Sequence, residues 1–172
     1  MKIEHFEIKD AKIEYATELT DILNEALSET NHYLFTFHNK ITLNEQVDYL
    51  RYVQSKKGSL FLVAFIKNEI IGFLDFVCHR GLEKYDFGVL GIVVKKNYRQ
   101  KRIASRLFNE LIKRKDVNII KAEVLITNKP VINFLHQNNF VIDNDSKKAI
   151  EFKNEKTEVL LMLRNDARSN EN

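Results

Sequence analysis

The sequence predicts an α/β fold (α+β by some schemes) with a mixed central β-sheet and helices on both faces, in the order β-α-α-β-β-β-α-β-α-β-β. Three observations predict it. Two apolar runs, 60–66 and 70–78, are separated only by Lys67-Asn68-Glu69, which is a hairpin signal. A largely β-branched run, Leu90-Gly91-Ile92-Val93-Val94, has the make-up of a buried strand. It leads through a polar loop into Ile103, Leu107, Phe108, Leu111 and Ile112, whose spacing is that of one helical face. A hairpin followed by a strand-helix-strand unit implies a mixed sheet.

The elements follow in order. Residues 3–11 alternate loosely as a first strand, and Ala16, Leu19, Ile22, Leu23, Ala26 and Leu27 then fall at helical spacing. Residues 28–40 break both patterns and are rich in aromatics and histidine: His32, Tyr33, Phe35, Phe37 and His38. Thr42 with Glu45 is a capping box that opens a second helix, with Leu43, Val47, Leu50 and Val53 on one side. Gly58-Ser59 ends that connection, and Asn68 is the residue expected to take the left-handed conformation in the hairpin turn. After a polar turn at 80–84 comes the strand 87–94, the basic loop and its helix, which Lys115-Asp116 closes. Residues 119–126 form a further strand. Asn128-Lys129-Pro130 starts another helix, with Pro130 in the first turn where its missing N–H costs nothing, and Asn139 stands in for a C-terminal glycine. Two final strands, 140–152 and 157–163, are expected around a turn at Asn154-Glu155. Residues 1–164 are read as one domain and 165–172 as a polar tail.

Composition narrows the class. At 172 residues, with 44% hydrophobic and 30% charged residues, the chain is long enough to bury a core and has ordinary globular make-up. No run approaches a membrane span, and Met1-Lys2-Ile3-Glu4-His5 lacks a signal-peptide core. The single Cys78 excludes a disulfide framework and points to a reducing compartment, the cytoplasm; no Cys/His spacing suggests a metal site. The net charge of +3 is modest, so its placement carries the information. Lys95, Lys96, Arg99, Lys101, Arg102 and Arg106 fall in one short stretch that ends on a helix start. Such a start has free backbone N–H groups and a positive dipole end, which together suit a polyanion such as a pyrophosphate.

Two motifs now carry a resemblance. Arg99-Gln100-Lys101-Arg102-Ile103-Ala104 stands between a strand and a helix, where a Gln/Arg-x-x-Gly-x-Gly/Ala phosphate loop would stand. Asn128 opens a helix that closes, thirteen residues inclusive, on Asn139-Phe140, where Gly-Phe is usual. In these motifs and in its element order the chain resembles the GNAT superfamily of acyl-CoA-dependent N-acetyltransferases over nearly all its length. The resemblance implies a single-domain GNAT-like fold, acetyl-CoA as co-substrate, no metal, and direct transfer of an acetyl group to an amine in a ternary complex.

It also implies site residues. Ile92, Val93 and Val94 match the strand segment that pairs with the pantetheine arm. The backbone N–H groups of Gln100, Lys101, Arg102, Ile103, Ala104 and Ser105 match the pyrophosphate cradle, with Arg99, Lys101 and Arg106 adding charge. Asn128 matches the residue that hydrogen-bonds pantetheine, and Asn133 and Phe134 those lining the thiol end. Two departures stand out: Arg102 replaces the first glycine of the loop, and Leu135 stands where many members place a tyrosine that protonates the leaving thiolate. The position of the family's usual basic glutamate is Gly88, which has no side chain for the task. Asp86, two residues earlier on the same strand face, is the candidate base; a solvated turn aspartate is the alternative. His136, His79 and His32 are more remote choices. The 28–40 segment is expected to wall the acceptor, with Tyr33 and Phe35 apolar against it and Glu29 meeting a cation.

Without an evident base the chain suits an amine of low pKa, such as a peptide or protein N-terminus or a weakly basic small amine. Two other readings stand beside this one. A catalytically lost acyl-CoA-binding protein of the same fold would explain Arg102, Leu135 and Gly88 together. A nucleic-acid-binding module would use Lys95 to Arg102, but no second basic stripe supports it. Partners are therefore expected to be acetyl-CoA and an amine acceptor, with no nucleic acid and no membrane, and a homodimer is left open.

Overall fold

The computed structural model describes residues 5–29, 33–34, 39–81 and 86–166. The elements are β1 (Glu7–Asp10), α1 (Ala16–Ser28), α2 (Leu43–Ser55), β2 (Leu60–Ile66), β3 (Glu69–His79), β4 (Phe87–Val94), α3 (Ile103–Arg114), β5 (Ile119–Leu125), α4 (Lys129–Gln137), β6 (Val141–Phe152) and β7 (Glu155–Asn165), with short 3-10 turns at Ile13–Tyr15 and Lys96–Tyr98. The sheet has seven strands in the order β1-β2-β3-β4-β5-β7-β6, and only β4 with β5 pairs in parallel among the registers below. The mixed α/β fold expected from the hydrophobic periodicities is the one observed.

The chain divides into two compact units, one of residues 1–77 and 91–115, the other of 78–90 and 116–172. In the first, β1 pairs antiparallel with β2 and β2 with β3. Alternation along the strands divides their side chains. Phe61, Val63, Phe73 and Val77 join Leu19, Ile22 and Leu23 of α1 and Leu50 and Val53 of α2 in one buried cluster. Leu62, Ala64 and Leu74, equally buried, point the other way. α3 lies against β2 and buries Ile103, Leu107, Phe108 and Leu111, none of which belongs to the first cluster, so helices cover both faces. The capping box holds as expected: the Glu45 N–H donates to Thr42 Oγ1 at 3.3 Å and the Thr42 N–H to Glu45 Oε2 at 2.6 Å. At Gly72 a Cβ would lie 2.8 Å from the Val93 carbonyl oxygen, so glycine lets β3 and β4 approach there.

In the second unit, Phe87, Gly88 and Val89 pair with Ile119, Ile120 and Lys121, and the ladder stops there. β5 pairs antiparallel with β7, and β7 with β6. Ile120, Val124, Ile132, Leu135, Phe140, Leu160 and Met162 are buried. Asn139 takes φ 63° beyond α4, as its place suggested.

Two turns differ from expectation. Between β2 and β3 it is Lys67, not Asn68, that adopts positive φ, at 55°. The register Ile66↔Glu69 leaves two central residues, and positive φ at the first is the type II′ pattern. In the last hairpin the turn is Lys153-Asn154, with φ 54° and 62°, rather than Asn154-Glu155, because Phe152 pairs with Glu155 and a type I′ turn then needs both intervening residues left-handed. Strand register has overridden residue preference in both.

Candidate functional site

The basic loop is built in the first unit. β4 ends at Val94, and the Lys95 N–H donates to the Ile71 carbonyl at 3.0 Å, which pins the loop's entry to β3. The loop's cations are largely engaged. Lys95 pairs with Glu69 at 2.8 Å, and Tyr98 donates to the same carboxylate at 3.1 Å. Lys101 reaches back to the Asn97 carbonyl at 2.6 Å. Arg106 lies 3.9 Å over the Phe6 ring and donates to the Phe6 carbonyl at 3.3 Å. Arg99 donates through Nε to the Val94 carbonyl at 3.0 Å and through its two terminal nitrogens to Glu29 at 2.8 and 2.6 Å. Arg99 and Glu29, expected to serve different ligands, therefore hold each other.

At the loop's end Gln100 has φ 60° and Arg102 φ 64°, so both sit in the left-handed region that glycine occupies at least cost. Arg102 is exposed, and its side chain makes no cap hydrogen bond to the helix it precedes. The first intrahelical bond runs from the Arg106 N–H to the Arg102 carbonyl at 3.1 Å. No side chain caps this helix and no acid lies in its first turn. The N–H groups of Ile103, Ala104 and Ser105 are left along the helix axis at its positive end. Ile103 itself is buried, so only its backbone is offered, while Ala104 and Ser105 are half-buried. Ile92, Val93 and Val94 are half-buried at the end of β4.

In the second unit Asn128 is 9% exposed and caps α4, its Oδ1 accepting from the Val131 N–H at 3.4 Å. Asn133 is exposed and Phe134 half-buried on the same helix. Leu135 is 2% exposed and belongs to the packed interior. His136 Nδ1 lies 3.1 Å from the Phe140 carbonyl oxygen.

Asp86 is occupied. Its carboxylate accepts from Arg80 at 2.9 Å and from the Gly81 N–H at 3.1 Å, while Arg80 also pairs with Asp116 at 2.6 Å. This is an exposed turn fastened by ions. His79 stacks on Phe87 with centroids 5.0 Å apart. Cys78 is buried, and burial pushes its thiol up to about 11, so it stays protonated at neutral pH. Of the expected acceptor wall, Glu29 is the partner of Arg99 and Tyr33 is 38% exposed; Phe35, with His32, lies outside the described residues.

A different carboxylate emerges from the geometry. Asp75 on β3 accepts from the Tyr49 hydroxyl of α2 at 2.7 Å. A Cβ at residue 91 of β4 would overlap its Oδ1 and lie 3.0 Å from its Cγ, so only glycine at 91 leaves the carboxylate its place. The sequence pattern led instead to Asp86, which the structure places just before β4 and not on it. The signal was present: Asp75 is the one charged residue in the run 70–78, at the same parity as Phe73 and Val77.

A family model described as the acetyltransferase (GNAT) family matches residues 17–140. No curated protein matches the chain. Among solved structures, a GNAT-family acetyltransferase from Streptococcus pneumoniae is similar with a TM-score of 0.81 at 22% identity, covering 94% of this chain and 99% of that one. A ribosomal-protein-alanine N-acetyltransferase from Brucella melitensis gives 0.80 at 20% identity, covering 92% and 99%. A phosphinothricin acetyltransferase from Sinorhizobium meliloti, solved in complex with acetyl-CoA, gives 0.81 at 15% identity, covering 93% and 88%.

Proposed function

Since the chain belongs to the GNAT acetyltransferase family, we propose that it transfers an acetyl group from acetyl-CoA to a primary amine, directly, in a ternary complex. The observation that carries the reading is the uncapped start of α3 behind left-handed Gln100 and Arg102. Backbone donors there are preorganised for a pyrophosphate without side-chain competition. Ile92 to Val94 are the segment for the pantetheine arm, and Arg99, Lys101 and Arg102 border the loop. In the second unit the reading assigns Asn128 to the pantetheine amides and Asn133 and Phe134 to the thiol end.

Leu135, buried and apolar, supplies no acid to the leaving group. A thiol with a pKa near 8.5 leaves as a thiolate of modest basicity, so backbone or water hydrogen bonds suffice. A peptide or protein α-amino group and a small primary amine are the acceptor classes, in line with the names of the Brucella and Sinorhizobium proteins. The basic loop's ion pairs to Glu29 and Glu69 count against the nucleic-acid reading, since those cations are already compensated.

Calorimetry with acetyl-CoA, followed by thiol release with an amine panel, tests the proposal. Binding with turnover is expected. Binding without turnover on any amine would leave an acyl-CoA-binding protein, and oligonucleotide binding without acetyl-CoA binding would overturn both. Replacing half-buried Ala104 by Phe, beside the cradle, is expected to abolish acetyl-CoA binding in a folded chain.

A further inference from the structure

Asp75 stands in an unusual setting. Its neighbours of like parity on β3, Phe73 and Val77, are core residues, and Phe61 lies opposite it on β2. Gly91 faces it from β4, and Tyr49 reaches it from α2. Tyr49 is thus the one titratable group set against it by these elements; among the described residues no Lys, Arg or His pairs with it. A carboxylate so placed gives up much of its hydration for the Tyr49 hydroxyl and its own backbone N–H, which makes the site attractive to a cation. The way in is not closed. Asp75 is half-buried, Tyr49 is 38% and Tyr52 42% exposed, and the two rings stack at 6.3 Å. Aromatic rings beside a carboxylate suit an alkyl ammonium group, and the Tyr52 ring already carries the Lys56 ammonium at 5.2 Å from its centroid. Gly91 also immediately precedes Ile92–Val94, so Asp75 stands over the start of the segment assigned above to the acyl arm.

We propose that Asp75, fixed by Tyr49 over Gly91, receives the acceptor's ammonium group and takes its proton, so that strongly basic primary amines are substrates. The inference rests on the acetyltransferase reading and extends it, because the sequence alone favoured amines of low pKa. The ammonium R–NH3+ passes one proton to the Asp75 carboxylate, giving R–NH2 and a carboxylic acid. The amine's electron pair forms the C–N bond to the thioester carbonyl, and the C–S bond breaks with its pair on sulfur. The second nitrogen proton goes to the thiolate to give the thiol, and Asp75 returns its own to water. Burial pushes the Asp75 carboxyl above the usual range, and the hydrogen bonds from Tyr49 and from its own backbone N–H offset this only in part, which makes it a stronger base than an ordinary carboxylate. Burial and the adjacent charge push the Tyr49 hydroxyl upward, so it remains a donor.

The test uses the full chain, acetyl-CoA and two acceptors: an alanyl peptide and Nα-acetyl-lysine, with kcat/KM followed from pH 5.5 to 9. The wild type is expected to acetylate the lysine side chain. Asp75→Asn is expected to lower that rate about 100-fold or more while acetyl-CoA affinity stays unchanged. Tyr49→Phe removes a hydrogen bond to the ionised carboxylate, so the acidic limb of the profile is expected to move to higher pH. That shift would not follow from a merely structural contact, and it keeps the proposal testable if Asp75→Asn does not fold. A wild type that acetylates only the peptide, an Asp75→Asn enzyme within threefold of wild type, or a Tyr49→Phe profile that does not move would overturn the inference and leave the acetyltransferase reading intact. Acetyl-CoA binding with no transfer to either acceptor would sink both.

Discussion

The Arg99 guanidinium clasps the Glu29 carboxylate through parallel hydrogen bonds of 2.8 and 2.6 Å, joining residues seventy apart in sequence. The pair ties the loop before α3 to the end of α1, where the 28–40 segment begins. It is a bidentate, charge-assisted contact, but Arg99 is 43% exposed, so solvent screens it to about 0.5–1 kcal/mol.

That relationship makes a prediction about binding. If Arg99 is to meet a phosphate it must give up Glu29, so Glu29→Gln is expected to tighten acetyl-CoA by about two- to fivefold, the worth of the pair. Arg99→Ala is expected to weaken it, with a shallower salt dependence. Calorimetry at two ionic strengths checks both. An Arg99→Ala chain that melts earlier yet binds acetyl-CoA normally would make the pair a purely structural tie.

A second prediction concerns Arg102, which holds φ 64° with its side chain in solvent. The left-handed conformation costs an L-residue about 1–2 kcal/mol. Arg102→Gly removes that cost and adds unfolded-chain entropy of about 0.5–1 kcal/mol, so a net gain of about 0.5 kcal/mol is expected. The melting temperature is then expected to rise by about 1–2 °C. Acetyl-CoA binding is expected to weaken modestly, with the loss fading at high salt, because a cation leaves the edge of the cradle.

The elements themselves were legible because alternation and helical spacing report burial directly, and Thr42-Glu45 and Asn128-Pro130 carry their own capping chemistry. Lys67 and Lys153 were not, since strand register chooses which turn residue goes left-handed, whatever its intrinsic preference. The strand-loop-helix of 90–111 was readable as an anion site from its charge and order. What became of that charge was not, because Glu29 and Glu69 are distant in sequence and come to the loop only through the fold. Asp75 lay in plain view as a lone acid in an apolar strand, but its meaning needed Tyr49 and Gly91 beside it.

A third prediction is that Leu135→Tyr does not restore an acid. Leu135 is 2% exposed, so the larger ring has to displace its neighbours in the second unit. Overpacking of this kind costs about 1–3 kcal/mol, and burying the hydroxyl adds to it. A lower melting temperature with no gain in kcat is the expected result. A faster enzyme of normal stability would show that the side chain turns towards the substrate after all.

The last prediction concerns the stability that Asp75 forgoes. Its carboxyl lies above the usual range in the folded chain because burial penalises the charged form. Between the unfolded value, about 3.9, and the higher folded one, the native state holds more protons than the unfolded state. Stability from this group is therefore fully present below about pH 3.9 and is lost as the pH rises through the folded pKa. Above its folded pKa the wild type carries a half-buried charge that Asn would not. Asp75→Asn keeps an oxygen to accept from Tyr49, so it is expected to melt at or above the wild-type temperature at pH 7, with the difference shrinking as the pH falls towards 4. Thermal melts of both chains across that range decide it. A variant less stable at pH 7 than at pH 4, relative to wild type, would mean that the ionised carboxylate is compensated in the fold, and that Asp75 is there to hold α2 to β3.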